Sequence, residues 1–139
     1  MNILKIFLCL LGTAGATTHV GGNDRFECYV RGPIFSDMKA QGGGNGNIDE
    51  AIADFCHRRL PEQWGLGPGQ RIRHCFPFPQ DNTGNKLEIE IKNTGKARAE
   101  VDVGDCEHAL RWLRDHCWWG GHGEHRGFEY DIDPNFERC

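Results

Sequence analysis

The sequence lacks an excess of positive charge, a long apolar run and a C-x-x-C motif, and each absence argues against a class of function. The formal net charge is −4, so the chain is not suited to binding nucleic-acid phosphates. No segment is apolar over the roughly 20 residues that a membrane-spanning helix needs. Without C-x-x-C a zinc site is disfavoured, and without G-x-S-x-G so is a serine hydrolase of that type.

Residues 1–16 have the pattern of a secretory signal peptide. Lys5 is their only charged residue, an apolar run covers 6–11, and the A-G-A stretch at 14–16 supplies the small-x-small pattern of a cleavage site. We therefore expect cleavage after Ala16 and secretion into the extracellular space. Loss of Lys5 would make the net charge of −4 one unit more negative.

After the signal peptide, the sequence predicts a flexible polar leader at 17–25 and one domain at 26–139. Cys9 would leave with the signal peptide, and an even number of cysteines would remain. An even count in a short secreted chain predicts a disulfide framework, here three bridges with 15 possible pairings. The cysteines concerned are Cys28, Cys56, Cys75, Cys106, Cys117 and Cys139.

The first half of this domain predicts a strand, a helix and a second strand. Residues 26–30 and 72–78 have the composition of short strands. Between them, Asn47 is the predicted cap of a helix, with Glu50 completing a capping box, and Pro61 marks its end. The apolar residues of this helix recur at helical spacing and form one stripe: Ile48, Ala51, Ile52, Phe55 and Cys56.

The second half predicts a hairpin followed by a helix. Residues 86–103 alternate between apolar and polar on both sides of a turn signal at 93–95, which is typical of a β-hairpin. Asp105 is the predicted cap of the second helix. The glycines at 120–127 end this helix and predict a flexible loop. The stripe of this helix consists of Cys106, Leu110, Leu113 and Cys117.

A last strand at 128–132 completes the order β-α-β-β-β-α-β. This order predicts an α+β fold, a single-domain α/β sandwich in which two helices pack on one face of an antiparallel sheet. Three disulfides would replace part of the core, because many residues fall in loops.

The cysteine skeleton resembles the killer toxin 4 family of small secreted fungal and viral proteins. The resemblance rests on the C-x10-C spacing of the second helix and on a last strand that runs into a final cysteine, FEYDIDPNFERC, and it covers roughly residues 26–139. The two additional bridges of that family are missing. The pairing that the resemblance implies is Cys28–Cys117, Cys56–Cys106 and Cys75–Cys139.

The chain also resembles the fungal glycan-binding domain family typified by an ink-cap mushroom lectin. The matching features are I-x-x-A-I-x-x-F-C at 48–56, C-x10-C followed by Gly-Gly at 106–121, and Asp-Pro-Asn at 133–135. This resemblance implies a secreted, non-enzymatic protein without a cofactor. Its ligands would be cell-surface or cell-wall glycans, and its role that of a fungal effector or a defence protein.

Tryptophans are the most specific candidates for ligand contacts. Aromatic rings bind the apolar side of sugar rings, while neighbouring polar groups bind the hydroxyls. Trp118 and Trp119 follow the second helix, and consecutive residues cannot both face the core. We expect one of them to be buried and the other to be exposed as a sugar platform. Trp64 is a second candidate anchor, and His122 and Glu124 are candidate polar contacts.

The remaining polar residues do not single out an enzyme or a metal centre. His122-Gly-Glu-His125 has suggestive spacing, but its surrounding glycines predict a loop, and no second pair of ligands is evident, so no metal site is predicted. A nuclease needs an acid/base pair and an arginine, yet no spacing distinguishes such a set. The residues considered for it are His74, Arg73, Glu88, Glu90 and His122.

Two alternative functions stay open. One is a killer-toxin-like effector that acts on a channel or receptor of a target cell, such as a host or competitor cell-surface protein. The other is a small secreted hydrolase or ribonuclease. Apart from these, the charged strand residues are expected to be plain solvated surface, namely Glu88, Glu90, Glu100, Asp102, Arg71 and Arg73.

Overall fold

The computed structural model describes residues 17–19, 24–35, 46–62, 64–78 and 85–139. The predicted signal peptide lies outside the described residues. A π-helical turn, Phe55–Arg59, continues the first helix. In chain order the helices and strands are β1 (Thr17–His19), β2 (Arg25–Cys28), α1 (Gly46–Asp54), β3 (Arg71–Phe78), β4 (Asn85–Asn93), α2 (Val103–His116), β5 (Gly121–His125) and β6 (Phe128–Asn135).

The six strands form one antiparallel sheet in the order β1-β2-β5-β6-β4-β3. Both helices pack on the same side of this sheet, which we call the covered face, and the other side is the open face. The predicted fold class is therefore confirmed. Thr17–His19 of the predicted leader form the edge strand β1, and Arg25 belongs to β2, so these parts of the leader are ordered in the sheet.

Strict alternation in the central strands separates the two faces. Along β4 and β6 every second residue is buried, because successive side chains of a strand point to opposite sides. The covered face carries the apolar set, with Ile89 facing Ile132 and Ile91 facing Tyr130. On the open face the same strands carry charged residues.

The predicted hairpin at 86–103 is wrong. Its first arm is β4, but β3 and β6 occupy both edges of β4, so no edge remains for a second arm. The alternating residues of the predicted second arm instead form a single bridge, between Leu66 and Ala99. This bridge holds the segment before α2 against the loop before β3.

The helices follow the predicted apolar stripes but begin elsewhere. α1 begins at Gly46, one residue before the predicted cap Asn47. The cap of α2 is Asp102 and not Asp105, since an Asp102 carboxylate oxygen accepts the backbone N–H of Asp105 at 3.0 Å. The Asp105 carboxylate is therefore free to contact His125. Within the described ranges, neither helix is long and apolar enough to span a bilayer.

The predicted loop at 120–127 is also wrong, because most of it is strand β5. Gly123 lies opposite Phe26 of β2. A Cβ atom on Gly123 would lie 2.2 Å from a ring carbon of Phe26, so only glycine leaves room for that ring. The Phe26 ring in turn stacks on Trp112 of α2, with ring centroids 4.6 Å apart. Here the glycines permit close packing and do not signal a loop.

All three disulfides implied by the resemblance are present: Cys28–Cys117, Cys56–Cys106 and Cys75–Cys139. The first ties the end of β2 to the end of α2, and the second joins the two helical segments inside the core. The third ties β3 to the last residue of the chain. Their Cα–Cα distances of 5.0, 5.8 and 5.7 Å fit ordinary bridges.

Candidate functional site

Trp118 follows the end of α2, and 70% of its surface is exposed. It lines a cleft of about 320 Å³ together with Ile34, Phe35, Arg114 and Asp115. Its backbone is fixed from two sides: the Phe35 N–H donates to its carbonyl at 3.0 Å, and the preceding cysteine is held in a disulfide. An indole on an ordered backbone therefore faces solvent.

Charged groups lie beside this indole. Arg114 Nε donates to Asp115 Oδ1 at 2.8 Å, and the Arg114 guanidinium also bonds Asp49 of α1. The Arg114 side chain is largely buried, whereas that of Asp115 is half exposed. We call this set of ring, guanidinium and carboxylate the Trp118 cleft.

Trp119, the next residue, is only partly exposed. Its ring centroid lies 6.4 Å from that of Trp118, and the two rings are tilted by 42°. The two neighbouring tryptophans therefore differ in exposure, and Trp118 is the more exposed of the two, but Trp119 is only partly covered and is not the buried core residue that the sequence predicts for one of the pair.

Trp64 is the most exposed large apolar residue among those described, at 92%. It lines a groove of about 360 Å³ whose wall includes Pro61, Glu100 and Val103. Arg98 fixes the backbone, because its guanidinium donates to the Trp64 carbonyl at 3.1 Å and to the next carbonyl at 2.8 Å. We call this set the Trp64 groove, and it shares no lining residue with the Trp118 cleft.

His122 and Glu124 lie elsewhere, on the open face of the sheet. They line a shallow polar depression of about 200 Å³ with Arg25, Glu27 and Glu129. His122 Nε2 is 3.7 Å from a carboxylate oxygen of Glu27. The structure therefore brings these two predicted contacts together with each other but not with the exposed tryptophans.

A second polar depression, of about 240 Å³, continues along the open face. Cross-strand ion pairs line its walls, with Arg73–Glu88 at 2.8 Å and Arg71–Glu90 at 3.1 Å. The depression is formed by Tyr29, Arg71, Arg73, Glu88, Glu90, Asp131 and Asp133.

Asp131 is the most strongly perturbed carboxyl group of this depression. Burial, reinforced by the charges of Asp133 and Glu90, raises the pKa of Asp131 to about 6. The Tyr29 hydroxyl donates to this carboxylate and, with His122, acts in the opposite direction. Burial and the hydrogen bond to Asp131 raise the pKa of Tyr29. A carboxyl group that titrates near neutral pH therefore lies in the open face.

His125 is not a loop residue, contrary to the sequence prediction. Residues three apart on a strand point to opposite faces, so His125 lies on the covered side while His122 lies on the open side. Its Nδ1 is 2.8 Å from Asp24 and its Nε2 is 3.3 Å from Asp105. Since the two histidines face apart, the H-x-x-H spacing does not form a metal pair. No group of three potential ligands converges in the described part of the chain.

The nuclease candidates are likewise divided between the two faces. His74 pairs in register with Ile89, on the covered side of the sheet. Burial and the charge of Arg59 lower the pKa of His74. His122 is on the open side, so these two histidines do not form an acid/base pair across one site.

Sequence reasoning missed Tyr29, Asp131 and Asp133 as members of a common site and classed their arginine and glutamate neighbours as plain surface. One available signal was the alternation E-Y-D-I-D at 129–133, which matches E-I-E at 88–90. It becomes informative only once β6 is known to lie beside β4.

The chain matches the family model for glycan binding domain Y3 over residues 47–139, about two thirds of its length. This range includes α1 except for its first residue, all of α2, the tryptophans of both exposed surfaces and five of the six bridged cysteines. No curated protein shows significant sequence similarity to the chain. The protein belongs to the glycan binding domain Y3 family, which implies a carbohydrate-binding role.

Proposed function

We propose that the protein is a secreted, non-enzymatic lectin that binds cell-surface or cell-wall glycans on its exposed tryptophans. Trp118 is the principal contact, with the Trp119 ring beside it, and Trp64 offers a second surface. A fungal defence or effector role follows if the glycan belongs to another organism's surface.

The observation that carries this proposal is the exposure of Trp118 beside a charged pair. Leaving 70% of an indole in water is unfavourable for the free protein, so a ligand that covers the ring gains the free energy of apolar burial. The half-exposed Asp115 carboxylate supplies an acceptor for hydroxyl groups at the ring's edge, and Arg114 holds that carboxylate in place. Because the backbone is fixed, little conformational entropy is lost on binding.

The charged open face is the less favourable ligand surface. Its arginines are paired with Glu88 and Glu90, as Arg114 is paired with Asp115 and Asp49 in the cleft. The cleft differs because it adds an indole that is 70% exposed. The depression around His122 and Glu124 is also charged, and none of the described residues that line it is a tryptophan, tyrosine or phenylalanine.

Three observations support the other parts of the proposal. The disulfides agree with an oxidising extracellular space, as does the predicted signal peptide. Their connectivity agrees with a killer-toxin-like fold. The separation of His74 and His122 on opposite faces argues against the ribonuclease alternative.

The test is a glycan array probed with the wild-type protein, followed by titration of the strongest oligosaccharide. The double variant Trp64→Ala/Trp118→Ala should lose about 2 kcal/mol or more at each site, roughly a 30-fold weakening, and keep its circular dichroism spectrum. The matched control, Trp64→Phe/Trp118→Phe, retains aromatic rings and should retain most of the binding.

Two outcomes would overturn the proposal. In one, the folded double variant binds as well as the wild type, which would place the ligand elsewhere. In the other, the wild type binds no glycan but depolarises a target cell, which would replace the lectin with the killer-toxin-like effector.

A further inference from the structure

The two charged side chains of the Trp118 cleft differ in exposure. The Arg114 side chain is 11% exposed, whereas that of Asp115 is 51% exposed. Both residues line the cleft together with the Trp118 indole. A ligand that stacks on this ring therefore meets an accessible carboxylate, while most of the neighbouring arginine is covered by the protein.

The hydrogen bonds of Arg114 direct its charge into the protein. Its Nε donates to Asp115 Oδ1 at 2.8 Å, and its Nη1 donates to Asp49 of α1. The guanidinium therefore lies between two carboxylates, one from each helix, and such charge-assisted hydrogen bonds are among the strong ones in proteins. A ligand anion would have to displace one of these carboxylates before it could bind the guanidinium.

Another cation, Arg111, lies one turn earlier on α2. Its side chain is 38% exposed, but its guanidinium donates to Asp49 at 2.9 Å, and its Nε is 3.6 Å from Glu107. Arg111 is not one of the residues that line the cleft. Among the described residues that do, Asp115 is the charged residue with about half of its side chain in solvent.

We infer that Asp115 is a specificity-determining residue of the Trp118 cleft, which restricts the ligand to oligosaccharides without an acidic group on the sugar that covers Trp118. This inference rests on the proposed lectin function. An ionised carboxylate only accepts hydrogen bonds, so it binds sugar hydroxyls but repels the carboxylate or sulfate of an acidic sugar. For like charges about 4 Å apart, this repulsion weakens binding at least roughly fivefold even in bulk water.

The experiment uses three forms of one oligosaccharide, the neutral one that binds most strongly on a glycan array. In the second form the primary hydroxyl groups are oxidised to carboxylates, and in the third these carboxylates are converted to uncharged carboxamides. Calorimetric titration is done on the Trp64→Ala protein, so that the cleft is measured alone.

This protein should bind the carboxylate form at least roughly fivefold more weakly than the carboxamide form at low salt. The ratio of the two affinities should shrink in about 1 M sodium chloride, because salt screens charges. Exclusion by shape alone would not respond to salt in this way.

A further substitution, Asp115→Asn, should bring this ratio close to one, because the amide keeps an oxygen acceptor but carries no charge. Binding of the neutral form should weaken by no more than about fivefold. The matched control is Glu107→Gln, which removes a carboxylate that also pairs with an arginine of α2 but lies roughly 12 Å from Asp115 along the helix axis. The control should keep the ratio of the unsubstituted carboxylates.

The contrary results separate the two proposals. A ratio that persists in Asp115→Asn, or equal binding of all three forms before that substitution, overturns the role of Asp115 but leaves the lectin function intact. A Trp64→Ala protein that binds none of the forms, although the wild type does, has its glycan at the Trp64 groove, which also overturns the role of Asp115. A wild type that binds no array glycan overturns the lectin function itself.

Discussion

The two faces of the sheet come from the same strands and differ in almost every physical respect. On the covered face, alternate residues such as Ile89 and Tyr130 are fully buried under two helices. On the open face, the residues between them form cross-strand ion pairs such as Arg73–Glu88 at 2.8 Å. The covered face supplies the apolar core, and the open face presents charges that already have partners.

This difference indicates on which surface ligand binding can release the most free energy. The covered face is inaccessible, and the depressions of the open face are lined by charged residues without a tryptophan among the described ones. The ends of the sandwich, where loops leave the sheet and helices, hold the exposed indoles of Trp64 and Trp118. Function concentrated in loops on a rigid scaffold is the usual arrangement in folded domains.

The largest expected effect is on the covered face. Replacing both Cys56 and Cys106 by alanine should lower the free energy of unfolding by about 4 kcal/mol, because the bridge closes a long loop in the unfolded chain and both sulfurs are buried. Urea unfolding measures this loss. The control is Cys75→Ala/Cys139→Ala. Its loop is of similar length, with a sequence separation of 64 against 50, but Cys139 is exposed, so removing this bridge creates a smaller cavity.

If both double variants lose the same free energy of unfolding, then burial of the Cys56–Cys106 bridge in the core contributes nothing beyond the loss of loop entropy, which would contradict this prediction.

On the open face, Asp131→Asn should stabilise the protein at pH 7. The folded pKa of about 6 is higher than the roughly 3.9 of an unfolded chain, so the folded state holds this proton more tightly. The stability that Asp131 contributes is therefore complete below the unfolded pKa and is lost as pH rises through 6. The variant avoids this loss, which is on the order of 3 kcal/mol at most, and its amide oxygen can still accept the Tyr29 hydroxyl.

Thermal unfolding at a series of pH values measures this effect. The advantage of Asp131→Asn should shrink as pH falls toward 4. Glu124→Gln, which changes an exposed carboxylate on the same face, is the control and should show no such trend. A variant that is less stable than the wild type at pH 7 would show that Asp131 is a stabilising anion instead.

The last comparison is between the stability effects of the two histidines of β5, which lie three residues apart on opposite faces of the sheet. His125→Ala should cost about 1–3 kcal/mol, since it removes the hydrogen-bonding partner of Asp24 and Asp105 inside the fold. His122→Ala removes only a half-exposed side chain and should change stability by less than about 0.5 kcal/mol. Chemical denaturation of both variants at pH 6 tests this pair, and similar losses would mean that β5 does not separate the two faces.

Much of the fold could be predicted from the sequence because alternation and helical stripes are local signals. The L-E-I-E-I stretch at 87–91 predicts β4, and the stripe that contains Phe55 and Cys56 predicts the first helix. Strand β5 could not be found in this way. Its glycines match a loop in composition, and only the position of Phe26 explains them. The second arm of the predicted hairpin failed because strand order decides which edges are free.

The candidate site was predictable only in its residue types. Two adjacent tryptophans after a helix indicate that one is exposed, but which one depends on the path of residues 30–35 past Trp118. The grouping of Asp131 with Glu90 depends on the pairing of β6 with β4, which joins segments far apart in sequence.

The central claim is that glycan binds at the tryptophan ends and not on the open face of the sheet. Nuclear magnetic resonance of the 15N-labelled protein tests it most directly, because each of the four tryptophans gives its own indole N–H signal during titration with the strongest array oligosaccharide. We predict that the indole signals of Trp118 and Trp64 shift while that of Trp112 and the backbone amides of His122 and Asp131 do not. Shifts confined to His122, Asp131 and their neighbours would contradict the account.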